Sequence, residues 1–102
     1  MKIPDEINIL SDIYSIKIED DTFISSKGGT AQGEFLYDDK IIKIKKMSES
    51  AMLKTFIHEI IHGICIDLNL YEGEPHNEGF IDRLATGLVD TLIRNNMLKD
   101  DK

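Results

Sequence analysis

Apolar positions in the first half of the chain come in short alternating runs, and from about Met47 onward they recur every three or four residues. Alternation is the mark of a half-buried strand and the longer period that of a helix. "YSIKIE" sets Tyr14, Ile16 and Ile18 on one side of a strand, and "TFIS" (Thr22 to Ser25) is a weaker strand. "EFLY" and "KIIKIK" flank Asp38-Asp39, which reads as a tight turn. The small and glycine-rich "SSKGGTAQG" reads as a loop, and "DEINIL" fits either a short helix or a strand. The lysines of "KIIKIKK", Lys40 to Lys46, alternate with isoleucines, so they read as the solvated face of a strand.

The character of the sequence changes between Lys46 and Ser50. Ser48 is placed to cap a helix, with Glu49 in its first turn. Met52, Leu53, Phe56, Ile57, Ile60, Ile61, Ile64 and Leu68 make a face so broad that this helix should be buried on most sides, with Asn69 as its stop. After a loop with Gly73 and Pro75, a second helix is expected from Asn77 or Glu78 to about Asn95. Its apolar positions are Phe80, Ile81, Leu84, Leu88, Leu92 and Ile93. No repeat or linker divides the chain, so residues 1–102 are expected to form one α+β domain, mainly β over 1–46 and helical over 47–96.

With 102 residues, 41% hydrophobic and 30% charged, the chain reads as globular. Its net charge of −7 repels phosphate backbones and argues against nucleic-acid binding. No apolar run is long enough for a membrane span. "MKIPDEINIL" does not read as a signal peptide, and Cys65 has no second cysteine to pair with. Together these point to the cytoplasm.

The chemistry lies on the first helix. "TFIHEIIHGI" carries His58 and His62 at i and i+4, so both imidazoles fall on one face within reach of one ion. Glu59 lies about 100° further round. It is poorly placed as a ligand on that face but can reach a metal-bound water. H-E-x-x-H thus encodes two zinc ligands and a general base in one turn. Chance would produce the pattern in well under about 1% of chains of this length. Its flanks are uncharged, where two histidines and a glutamate are costly to bury unless paired or metal-bound.

A catalytic zinc takes three protein ligands and keeps one open position. The metzincin extension fails here, with Cys65 where a glycine and Leu68 where a third histidine would stand. An acid on the second helix remains. In "NEGFID", Glu78 begins that helix and Asp82 follows one turn later. If the helices pack antiparallel, Glu78 closes the site and Asp82 accepts a proton from the far ring nitrogen of a ligand, with His58 the first choice. His76 is a loop residue near the rim in the simplest reading, and ligation or oxyanion stabilisation is its alternative. Tyr71 and Arg83 are equal candidates for the oxyanion. Cys65, i+3 from His62, reads as a small core residue, and Glu72 and Glu74 as solvated acids.

"HEIIH" followed by "NEGFID" resembles the gluzincin pattern of H-E-x-x-H and then N-E-x-x-x-D. Over about residues 35 to 96, with "FIHEIIHGICIDLNL" and "NEGFIDRLATGLVDTLIRN", the chain is similar to the small phage and prophage metallopeptidases related to the ImmA/IrrE group. That resemblance implies a minimal zincin fold, a small antiparallel or mixed sheet packed on two or three helices including the H-E-x-x-H helix. It also implies zinc on His58, His62 and Glu78, with Glu59 catalytic. The expected function is that of a hydrolase, a zinc-dependent metallopeptidase acting on a peptide or protein, a regulatory protein such as a repressor among the options. A metal-binding interaction module of the same fold with little or no proteolytic activity is the alternative, and a metal-free α+β scaffold the third. "KIIKIK", the strand just before the metal helix, is the expected edge for an extended substrate. The sequence carries no signal for an oligomeric state.

Overall fold

A computed structural model of the chain describes residues 3–70 and 78–97. "DEINIL" resolves to a strand, β1 (Glu6–Ile9), which turns at Leu10 into β2 (Asp12–Glu19). β3 (Phe23–Ile24) and β4 (Thr30–Ala31) form a separate two-stranded sheet. The stretch read as a loop therefore contains a strand. Gly28 and Gly29, with φ of +88° and +75°, supply the left-handed backbone that turns it. β5 (Gly33–Leu36) and β6 (Ile41–Lys45) follow. The turn between them puts Lys40 at a φ of 58°, and its ammonium is held 3.2 Å from the Asp12 carboxylate and 3.8 Å from the Tyr37 ring centre.

The four longer strands run in the order β1-β2-β6-β5. β2 and β6 are parallel, with Ile16 opposite Ile42 and Ile18 opposite Ile44, and the outer pairs are antiparallel. The lysine and isoleucine alternation of β6 is as expected, with Ile42 and Ile44 fully buried. The expected edge is corrected, because β6 is hydrogen-bonded on both sides and cannot accept a further strand. The sheet edge with the most contacts to the helix that carries His58 and His62 is β5.

Two helices complete this small α+β fold with a mixed sheet. α1 (Glu49–Asp67) starts where Ser48 Oγ accepts the Ala51 amide. It ends at Asn69, whose φ of 55° lets the Leu70 amide donate to the Cys65 carbonyl at 2.8 Å. No residue from Ala51 to Asp67 is exposed, because α1 is covered by the sheet on one side and by α2 (Glu78–Arg94) on the other. Tyr14, Ile42, Ile44, Leu53 and Phe56 anchor the core.

α2 departs from its expected face. It buries Ile81, Ala85 and Val89, while Phe80, Leu84, Leu88 and Ile93 are exposed. Among the described elements it packs mainly on α1, and it buries a single i, i+4, i+8 stripe. No helix among the described residues is long and apolar enough to cross a membrane.

Gly63 marks where α1 meets the edge strand. A Cβ there would stand 2.7 Å from Phe35 Cε1 and 3.1 Å from Ile9 Cδ1. Gly63→Ala is expected to destabilise the protein by about 1–3 kcal/mol through overpacking, although alanine is the better helix former. Urea denaturation measures this, and an unchanged midpoint would show that Phe35 yields freely.

Candidate metal centre

α1 brings the His58 and His62 rings to 4.9 Å between centres. α2 runs back antiparallel along α1, so Glu78 opposes His58 and His62 while Asp82 lies one turn further on, against His58 and Lys54. Glu78 Oε1 is 3.0 Å from His58 Nε2 and 3.2 Å from His62 Nε2. The three residues offer one ligand atom each, all within 4.8 Å of one another. Donors about 2.0–2.2 Å from one tetrahedral ion lie roughly 3.3–3.6 Å apart. The two histidine–glutamate distances need slight widening and the overall spread of 4.8 Å some narrowing to hold one.

His58 Nδ1 faces Asp82 Oδ1 at 3.6 Å. This separation is longer than a hydrogen bond, and the closer carboxylate is Glu78, on the Nε2 side of the ring at 3.0 Å. Asp82 in turn is 3.9 Å from the Lys54 ammonium. The side chains of His62 and His58 are only 9% and 17% exposed, whereas Glu78 at the helix start is 65% exposed. Partial burial opposes ionisation of Glu78. The charges and hydrogen bonds of His62 and His58 outweigh it and hold the carboxyl below its ordinary pKa.

Glu59 has a different environment. It is 7% exposed, and its carboxyl is pushed up to about 8 by burial first, then by the negative charges of Glu78 and Glu34. Room for it comes from Gly33 on β5, where a Cβ would lie 2.9 Å from Glu59 Oε2 and would also strike the Thr55 methyl. Gly33, expected in a loop, is the first residue of β5. A lone glycine immediately before the apolar "EFLY" is the signal that marks a close backbone approach.

Two hollows along β5 share Gly33, His58 and Glu59, and the larger of them is also lined by His62 and Glu78, so it contains the whole donor group. One, of about 310 Å³, extends past Thr55 and Lys54 to Met47. The other, of about 470 Å³, extends past His62 to Ile66 and the turn between β3 and β4. Arg83 is exposed and lines neither of them. Cys65 is half-buried and outside the convergent group. Tyr71, Glu72, Glu74, His76 and Asn77 lie outside the described residues. Comparison with protein-family models, curated proteins and solved structures found no match to this chain.

Proposed function

We propose that the protein is a zinc-dependent metallopeptidase of the gluzincin-like zincin type, akin to the small phage and prophage peptidases of the ImmA/IrrE group. The observation that carries this reading is the meeting of Glu78 with both imidazoles beside a buried Glu59. His58, His62 and Glu78 would hold the ion. A zinc ion bound there supplies Lewis acidity, polarising a scissile carbonyl and lowering the pKa of water toward about 7.

Glu59 accepts the proton of the attacking water and delivers it to the leaving amine. A base with a pKa near ambient pH suits both transfers, and burial moves Glu59 in that direction. Asp82 steadies the His58 ring. The free edge of β5 offers backbone groups to an extended peptide lying across the two hollows, which brings its scissile bond to Glu59. The single cysteine and acidic charge are in keeping with a cytoplasmic site of action.

The test is elemental analysis of purified protein, followed by incubation with unfolded proteins and peptides with and without a chelator. About one zinc per chain is expected, with cleavage lost on chelation and restored by zinc. Protein that contains no zinc and gains none sinks the reading. Zinc binding without cleavage of any substrate leaves the interaction module instead.

A further inference from the structure

The larger hollow holds a carboxylate that the proposed mechanism does not use. Glu34 lines the wall on β5, with Ser25 and Ser26 of the β3–β4 turn, Thr30 of β4, and Phe35 and Ile66 as apolar members of the same lining. The Ser26 amide and hydroxyl both donate to Glu34 Oε2, at 2.9 and 2.6 Å. These bonds fix the carboxylate and fall on one oxygen, so Oε1 keeps its lone pairs for a ligand. Glu78 faces the imidazoles and Glu59 is committed to proton transfer, which leaves Glu34 as the cavity's recognition charge. Lys43 stands opposite Glu34 on the ladder, but its ammonium lies over the Phe23 ring, 5.5 Å from the centre. No ion pair joins it to Glu34 among the described residues. Among the described residues that line it, the only lysine or arginine is Lys27, on the exposed turn.

Apolar sides with a fixed carboxylate and hydroxyls match a side chain made of an aliphatic stem and a cationic head. The hollow of about 470 Å³ runs from the donor group of His58, His62 and Glu78 to Glu34, so a group held at Glu34 lies in the same cavity as those donors. We propose that this hollow is a subsite for a lysine or arginine side chain of the substrate, with Glu34 as its anionic partner. The proposal rests on the peptidase reading and names the substrate class of that site.

The test measures binding, so it does not depend on turnover. Zinc-loaded Glu59→Gln protein is titrated with fluorescent, end-blocked hexa-alanine peptides carrying one lysine, arginine, norleucine or glutamate at each position in turn. At one position lysine and arginine should bind at least about tenfold tighter than norleucine, as a charge-assisted contact allows. Glutamate should bind more weakly than norleucine.

Adding Glu34→Gln keeps an acceptor for Ser26 but removes the charge. It should bring the basic advantage to within about twofold and leave the norleucine peptide bound as before, which also shows an intact fold. No binding by any peptide, no position favouring a basic residue, or an advantage that survives Glu34→Gln overturns the proposal. Cleavage by the parent protein without a basic preference would sink this proposal alone. A basic preference without cleavage would sink only the peptidase reading.

Discussion

Glu59→Gln is expected to leave zinc stoichiometry unchanged and to slow peptide cleavage by on the order of 10²–10⁴. Glutamine has nearly the shape of glutamate, so it fits the same space against Gly33 and Thr55. It cannot accept the water proton or return it to the leaving amine. Because Glu59 is outside the donor group of His58, His62 and Glu78, metal content and activity should separate. Glu78→Gln, by contrast, is expected to weaken zinc binding and activity together, because it alters a ligand. Single-turnover cleavage and metal analysis on the same samples measure both quantities. If Glu59→Gln cleaves as fast as the parent, the base lies elsewhere and the proposed mechanism is wrong.

The parts of this site that were legible in the sequence depend on local physics. The helical period, the Ser48 cap, the Asn69 stop and the i, i+4 histidines all follow from geometry within one helix. The pairing of Glu78 with that helix was legible because two helices joined by a short connection pack antiparallel.

The strand order was not legible. The alternation of β6 is the same whether it stands at an edge or in the centre. Its place is decided by pairing with β2, more than twenty residues earlier in the chain. The face of α2 was hidden for a related reason. Its sequence is apolar on two adjacent stripes, and the stripe that packing on α1 buries is Ile81, Ala85 and Val89. Gly33 and Glu34 were missed because their roles arise only where β5 passes beside Glu59 and the β3–β4 turn. Local signals thus bring His58, His62, Glu78 and Glu59 together, whereas long-range pairing builds the hollows beside them.

Burial of Glu59 gives the metal-free protein a pH dependence of definite sign. The carboxyl shifts from 4.5 to about 8 on folding. Between those values the folded chain keeps a proton that the unfolded chain has released, so stability falls as pH rises. The slope approaches about 1.4 kcal/mol per pH unit and levels off above the folded pKa. Over the window this amounts to several kcal/mol, on the order of a third or more of a small domain's total stability.

Glu78 works in a separate window. Its folded pKa is lowered, so its contribution is present above the unfolded value and is lost only as pH falls through the folded one. Urea unfolding of chelator-treated protein from pH 5 to 8.5 should therefore show a steady loss of stability. In Glu59→Gln that slope should largely disappear, and the variant should be the more stable protein at pH 8. Parallel curves for the two would mean that Glu59 is solvated in the folded chain. The close packing against Gly33 would then not exist in solution, and with it would go the physical basis for a base tuned toward neutral pH.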